Sequence, residues 1–312
     1  MPPKNIRSGL LKIYISGFCM GVADIIPGVS GGTIAFIFGI YERLVSSLRA
    51  IDKVFLECLF KKRWKEAWHH IDATFLLSVF AGIFSAIFIL AGLLKWLLRV
   101  YPVPVHSFFF GLVAATVFII FFSLRTRDFA KLSLAVIGAF GMYQLAGMIP
   151  VQTPDNLFFL FFSGVLAICA MILPGISGAF ILLLLGKYEY VLEAIHQYDV
   201  IALGVLALGC VIGLLSFVRL LAWLLRQYHD VTLSILSGVV LGSLRKIWPW
   251  KESIGFITTP RGKIIPTEEL NVLPQQMDSS VVMAVVLMIM GFALSFILSR
   301  FRTADQTSAS RS

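Results

Sequence analysis

The tract Pro-Gly-Val-Ser-Gly-Gly at Pro27–Gly32 returns as Pro-Gly-Ile-Ser-Gly-Ala at Pro174–Ala179, each time inside a long apolar stretch. Proline removes a backbone donor and breaks the helix that reaches it, while glycine permits turns that other residues resist. Two helix-breaking loops therefore lie where the surrounding sequence is apolar enough for a bilayer. The chain has 312 residues, of which 58% are hydrophobic and only 14% charged, and its mean hydropathy is +0.90. That is more apolar surface than a water-soluble core hides. The chain reads as an all-α polytopic membrane protein, a single membrane domain over residues 1–312.

Apolar runs near the ~20 residues that cross a bilayer as helix lie at Ala73–Leu94, Val105–Leu124, Leu132–Ile149, Val200–Leu225, Val231–Trp248 and Val281–Ser299, giving six expected spans. Two further stretches, Leu10–Leu48 and Leu157–Ile195, are interrupted by the Pro-Gly tract, and their arms are marginal as full spans. Each either dips in and returns as a re-entrant hairpin or crosses twice. With the N-terminus in the cytoplasm, Lys4, Arg7 and Lys12 fall on the same side as Arg43, Arg49, Lys53, Lys61, Lys62, Arg63 and Lys65, and most of the 26 Lys and Arg residues lie inside. This is the asymmetry of the positive-inside rule. It explains the formal net charge of +9 better than nucleic-acid binding does. The basic start of the chain lacks a small-residue cleavage site, so no removed signal peptide is expected. Cys19, Cys58, Cys169 and Cys210 are scattered and read as packing residues.

The two halves align. Gly17 pairs with Gly164, Ala23 with Ala170, Pro27 with Pro174, Ser30 with Ser177, Gly39 with Gly186, Tyr41 with Tyr188 and Glu42 with Glu189. A second block, Trp96-Leu-Leu-Arg99-Val-Tyr101, recurs as Trp223-Leu-Leu-Arg226-Gln-Tyr228. Each half, 10–149 and 157–300, then holds one even-crossing hairpin and three spans, so the halves enter the membrane upside down relative to each other. Inverted repeats are a transporter architecture. The first half carries an insertion in which Phe60, Trp64 and Trp68 recur every four residues among basic side chains, which suits either an interfacial helix or an ordinary basic loop. The segment 249–280 reads as an irregular external loop with no chemistry.

Non-helical backbone is tolerated in a bilayer only where protein or a water-filled cavity surrounds it, so the two loops are expected to meet at a central cavity. Each second arm then begins with unpaired N–H groups that suit a phosphate or carboxylate, and Ser30, Thr33 and Ser177 add hydroxyls. The competing reading is that these small residues only let helices approach closely. Asp24, Glu42 and Glu189 are carboxylates in or beside apolar segments, costly there and candidates for function. Equally, Asp24 suits a cap on the loop and the glutamates an interfacial position. Arg219 lies inside its span, placed either to act or to snorkel to the surface.

Gly21-Val-Ala-Asp24-Ile-Ile-Pro27-Gly-Val-Ser30-Gly-Gly-Thr33, followed by Gly39-Ile-Tyr41-Glu42-Arg43, resembles the signature of the bacterial polyprenyl-phosphate transporter family. The second copy, Leu173-Pro-Gly-Ile-Ser-Gly178 with Gly186-Lys-Tyr188-Glu189, resembles it too. The resemblance covers nearly the whole chain. It implies a multi-pass protein of the bacterial cytoplasmic membrane, with both termini in the cytoplasm, that returns undecaprenyl phosphate from the outer to the inner leaflet. The loop is also similar to that of undecaprenyl-pyrophosphate phosphatase, which has an arginine where this chain has Gly31 and Gly178. That departure favours a carrier over an enzyme. The alternatives are a phosphatase-like enzyme and a transporter of a small soluble anion.

On this reading the expected partners are the lipid substrate and the bilayer, with no cofactor or metal. Pro27, Gly28, Gly31, Gly32, Pro174, Gly175 and Gly178 shape the loops. Ser30, Thr33 and Ser177 hold the head group with help from Arg43 or Arg219. Asp24, Glu42 and Glu189 carry a coupled proton or Na⁺.

Overall fold

The computed structural model describes residues 4–151, 153–258, 264–274 and 276–309. The first half runs α1 (Lys4–Ile25), α2 (Gly31–Ile37), α3 (Tyr41–Arg49), α4 (Lys53–Phe60), α5 (Trp64–His70), α6 (Ala73–Val100), α7 (Pro102–Phe122) and α8 (Phe129–Ala146). The second runs α9 (Leu157–Ile172), α10 (Gly178–Leu184), α11 (Tyr188–His196), α12 (Val200–Gln227), α13 (His229–Ile247) and α14 (Ser279–Ala309). Between α13 and α14 lie β1 (Lys251–Thr258) and β2 (Ile264–Asn271).

Among the described residues, five helical segments are long and apolar enough to cross a membrane: Ala73–Val100, Pro102–Phe122, Phe129–Ala146, Val200–Gln227 and Ser279–Ser299. The sixth expected span forms α13, but Asp230 in its first turn and Arg245 and Lys246 in its last keep it from ranking with those five. Polar side chains at helix starts answer the orphan N–H groups there: Asp128 accepts from Lys131 N, Asn156 from Phe159 N, and Asp199 from Ile201 N and Ala202 N.

Packing repeats between the halves. α1 lies on α6 as α9 lies on α12, and α7 lies on α14 as α13 lies on α8. The α6–α7 and α12–α13 corners match closely. Tyr101 has φ −128° and ψ 56°, Tyr228 has φ −130° and ψ 50°, and each ring stands edge-on to its tryptophan, with centroids 5.9 Å apart for Trp96 and 5.7 Å for Trp223. Gly111 presses against the Met288 carbonyl, and its counterpart Gly238 against that of Ala135, leaving no room for a Cβ at either place.

In each hairpin, residues near the start of the first arm and the end of the second share close neighbours. α1 begins beside the start of α6, where Leu10 and Tyr14 share a groove with Thr74, and α3 comes back to that end, where Arg43 pairs with Asp72. In the second half Val151, ahead of α9, donates its N–H to the Leu184 carbonyl at the end of α10. Lys187, fully buried, donates to the Thr153 and Pro154 carbonyls and pairs with Asp155.

Each second arm is broken where the sequence reading has it continuous. Gly39 at φ 70° and Gly186 at φ 68° take a left-handed conformation that side chains resist, ending α2 and α10 after seven residues each. Such a helix is only about 10 Å long. The segment 249–280, expected to be an irregular loop, differs from expectation, because β1 and β2 form an antiparallel ribbon from Lys251↔Asn271 to Thr258↔Ile264. Pro266 is tolerated opposite Phe256 because each strand of a two-stranded ribbon keeps a free edge. The insertion forms two short helices, not one, with a turn at Lys61–Arg63 between them. Phe60, Trp64 and Trp68 are exposed. All four cysteines are free.

Candidate functional site

The two Pro-Gly tracts make similar corners. Pro27, lacking an N–H, stops α1 at Ile25, and Gly28 follows at φ 87°. Val29 N donates to the Ile26 carbonyl at 3.1 Å, so Ile26–Val29 has the type II pattern of proline second and glycine third. Gly175 has φ 86°. In the second corner, however, the Leu173 carbonyl accepts from the Ser30 hydroxyl of the first, at 3.3 Å.

Among the described residues, that bond is one of three that join the two hairpins directly. Gly175 N donates to Thr33 Oγ1 at 2.9 Å, and the Tyr41 hydroxyl donates to the Ile172 carbonyl at 3.1 Å. Ser30 and Thr33 are almost wholly buried. Tyr41, stacked on Phe36 with centroids 4.0 Å apart, is buried as well. The expected meeting of the loops is therefore present, built from protein–protein bonds. The groove of about 490 Å³ lined by Leu10, Tyr14, Trp68, Thr74 and Leu77 lies elsewhere, against α5 and α6.

Around the start of α2 the donors are already occupied. Gly31 N donates to Asp24 Oδ1 at 2.7 Å, and Gly32 N to Ser30 Oγ at 3.2 Å. A carboxylate thus sits where an anion was expected to bind, and a Cβ at Gly31 would lie 2.7 Å from its Oδ2. The second tract differs at both decisive places: Met171 aligns with Asp24, and Phe180 with Thr33. Ser177 precedes α10 without capping it, and among the described residues its hydroxyl makes no hydrogen bond. It is half-exposed, whereas Ser30 is buried.

The nominated arginines stand apart from the tracts. Arg43 Nε donates to Asp72 Oδ2 at 2.7 Å, and its guanidinium lies over Phe75. Arg219 reaches the Ile51 carbonyl at 3.4 Å. Of the carboxylates, Asp24 alone touches a tract. Glu42 faces His229 Nε2 at 3.4 Å, and His229 Nδ1 faces Asp230 at 3.1 Å. Asp230 also accepts from Thr126 N and Arg125 N. The His229 ring first, then those N–H groups, hold Asp230 well below the usual carboxylate range. Glu189 makes no hydrogen bond or ion pair among the described residues, so the paired glutamates occupy unlike surroundings.

Sequence reasoning missed the helix that seats both corners. A Cβ at Gly28 would lie 3.2 Å from Lys246 Cγ and 3.3 Å from Ile247, and one at Gly175 would lie 2.9 Å from Ser243 Oγ and 3.0 Å from Val240 Cα. All four residues belong to the last turns of α13. Lys246 Nζ lies 5.4 Å from the centre of the Phe180 ring, in the first turn of α10. In the sequence these are ordinary span residues and an end-of-span cation, and nothing local ties them to tracts far away in the chain. Tyr41 was visible as part of the repeated Gly-x-Tyr-Glu pattern, though not its bond to the other tract.

Residues 20–265 match a family model described as undecaprenyl phosphate translocase-like. The chain is 41% identical over 297 residues to a polyprenyl-phosphate transporter of Vibrio cholerae serotype O1, covering 93% of this chain and 96% of that one. It is 29% identical over 253 residues to a polyprenyl-phosphate transporter of Staphylococcus aureus, covering 75% and 85%. No solved structure matches it. With five apolar segments able to span a bilayer, the chain is a multi-pass membrane protein.

Proposed function

The chain belongs to the undecaprenyl phosphate translocase-like family, and from that premise we propose that it carries a polyprenyl phosphate from the outer to the inner leaflet of the bacterial cytoplasmic membrane. The observation that carries this reading is the direct bonding of the two repeated Pro-Gly corners, Gly175 N to Thr33 Oγ1 and Ser30 Oγ to the Leu173 carbonyl. It supports a single site built by both halves. An inverted pair of re-entrant hairpins, one entered from each face, makes such a site reachable from either side in turn.

Two groups of polar contacts favour this sidedness. Glu42, His229, Asp230, Thr126, Arg219 and Ile51 are linked at ends that the positive charge assigns to the cytoplasm. Lys187 with Asp155, and Arg245 with the Tyr143 carbonyl, link ends assigned to the outside.

An isolated phosphate in hydrocarbon costs tens of kcal/mol by Born estimates, so the head group must travel along polar groups while the tail stays in lipid. Ser177 and the N–H groups of the second tract beyond Gly175, whose own N–H is taken by Thr33, offer donors for it. Inward movement of an anion also opposes an inside-negative potential by ~2.3 kcal/mol per charge per 100 mV, which an accompanying proton or Na⁺ offsets. Asp24 is placed for that role. Neutralising it loosens its hold on Gly31 N and exposes a donor in the first tract. Glu42 and Glu189 are the further carriers. The relatives are named as transporters, and Gly31 and Gly178 stand where the similar phosphatase loop has an arginine, so we assign no catalytic role.

The test is the amount of polyprenyl phosphate on the outer surface of cells with and without the protein, read by sensitivity to an antibiotic that captures this lipid. Loss of the protein is expected to raise exposure. Equal exposure refutes the transport reading, and release of inorganic phosphate from undecaprenyl pyrophosphate by the purified protein replaces it with an enzyme. If Asp24→Asn, Glu42→Gln and Glu189→Gln together keep full transport at every pH and Na⁺ concentration, coupling through these carboxylates is wrong.

A further inference from the structure

We propose that the α4–α5 insertion docks anionic phospholipid of the surrounding bilayer, with the α5 tryptophans set into the leaflet and Lys62 and Lys65 on its phosphates. The proposal goes beyond the transport reading and stands without it, since it needs only that the chain spans a membrane.

Phe60, Trp64 and Trp68 leave 85%, 63% and 47% of their surfaces exposed, and aromatic surface gathered in this way marks a contact with a partner or a membrane. Its position selects the membrane. Trp64 and Trp68, four residues apart, share one face of α5, while Cys58 of α4 and Ala67 of α5 are the buried residues that seat the two helices on the protein. Trp68 Nε1 donates to Thr74 Oγ1 at 2.9 Å. Thr74 lies in the first turn of α6, a span whose exposed Leu77, Phe84 and Phe88 continue the same stripe at helical spacing. α5 therefore sits at the edge of a lipid-facing surface, the level that favours a tryptophan with one apolar side and one N–H. Trp68 is also a wall of the groove of about 490 Å³ that it shares with Leu11, Tyr14 and Leu77, whose apolar lining suits an acyl chain.

Charge selects the head group. Lys61, Lys62, Arg63 and Lys65 put four cations within five residues. Carboxylates answer two of them, Glu57 facing Lys61 at 3.4 Å and Glu66 facing Arg63 at 3.0 Å. Lys62 and Lys65 are exposed and have no ion pair among the described residues. Backbone bonds from Lys62 N to the Leu59 carbonyl at 3.0 Å and from Arg63 N to the Cys58 carbonyl at 2.8 Å hold the turn that presents them. His70 Nε2 faces Asp52 Oδ1 at 3.0 Å and joins the two ends of the insertion. A cluster of this size beside a span attracts anionic lipid. In the second half α11 leads to α12 with no such insertion, so the surface serves one leaflet.

The full-length protein in nanodiscs of phosphatidylcholine with a minority of phosphatidylglycerol tests this, with one lipid or the other brominated on its acyl chains to quench tryptophan on contact. The signal of Trp64 and Trp68 is the difference between wild type and Trp64→Phe/Trp68→Phe. Brominated phosphatidylglycerol is expected to quench it more than brominated phosphatidylcholine at equal mole fraction, and the excess to fade at high ionic strength. Lys62→Gln with Lys65→Gln is expected to weaken the apparent phosphatidylglycerol affinity at least about fivefold, the effect of one cation at an anionic surface. Lys62→Arg with Lys65→Arg is expected to keep it. If the double tryptophan variant melts early, Trp64→Phe alone supplies the signal with the Trp68–Thr74 bond in place. Equal quenching by both lipids overturns the anionic lipid as occupant, and quenching by neither overturns the membrane contact. Displacement of phosphatidylglycerol by an equimolar amount of undecaprenyl phosphate gives the surface to that lipid and overturns the proposal as well.

Discussion

The two Pro-Gly corners share sequence and backbone shape, yet one is sealed and the other is open. At the first, the side chains of Asp24, Ser30 and Thr33 accept from the N–H groups of Gly31, Gly32 and Gly175 in turn, and every residue of α2 is buried. At the second, Ser177 has no such partner among the described residues, and only Gly178 and Leu184 of α10 are buried. Packing follows the same division. α2 contacts α7, α9 and α14, and α3 lies on α12, whereas α10 and α11 rest chiefly on α9 and α12 of their own half. A duplicated sequence has thus produced one hairpin locked into the centre and one at the margin. On the transport reading proposed above, exchange between two such unequal arrangements is the step that turns a site from one face to the other.

The sharpest way to break this comparison is at the corner glycines. Gly175→Ala is expected to cost about 1–3 kcal/mol, because a left-handed backbone resists a side chain and a Cβ there would meet the α13 backbone at 3.0 Å. Gly28→Ala carries the same left-handed strain but meets only side-chain atoms, the Lys246 stem at 3.2 Å and Ile247 Cγ1 at 3.3 Å, and is expected to melt closer to wild type than Gly175→Ala. Comparative thermal melts in detergent check the order.

The next effect is on the bonds that seal the first corner. Thr33→Val leaves Gly175 N without its acceptor, and Asp24→Ala does the same to Gly31 N, each at about 1–3 kcal/mol for an unsatisfied buried donor. Ser177→Ala is expected to change stability by under about 0.5 kcal/mol while weakening capture of the phosphorylated lipid. Melting and binding measured on the same three proteins separate sealing from capture, and equal melting losses in all three would erase the distinction.

A smaller difference separates the hairpin ends. Lys187→Met is expected to free the loop at residues 153–155, read as faster hydrogen exchange there, while substituting the matching Ile40 leaves that loop protected. The smallest effect is a pH dependence at the Glu42 end. Asp230 is held below the usual carboxylate range, so its contribution to stability is complete above an unfolded pKa of about 4. It is lost as pH falls through the lower folded value. Asp230→Asn is expected to flatten the acid side of the stability profile and to leave neutral pH behaviour little changed.

Much of this architecture is legible before any coordinates. Run length and hydropathy place the five long apolar helices, since a bilayer of fixed thickness demands them. Pro27 and Pro174 mark where α1 and α9 stop. Gly39 and Gly186 also carry a visible signal, in their repeated spacing before Tyr-Glu, though their left-handed turns shorten the second arms beyond what apolar runs indicate. The β-ribbon is hidden because Pro266 argues against a strand until its free edge is seen. Even the unequal corners leave a trace, in Asp24 against Met171 and Thr33 against Phe180.

The sequence by itself determined the duplication, the helix breaks and the membrane class, because each depends on local backbone freedom or on the length of an apolar run. Tertiary structure alone decided which donors are occupied, which hairpin is central, and that the last turns of α13 carry Lys246 to both corners. These depend on contacts between residues far apart in the chain, and a repeat assigns the same residues to both halves without saying which copy the rest of the fold will enclose.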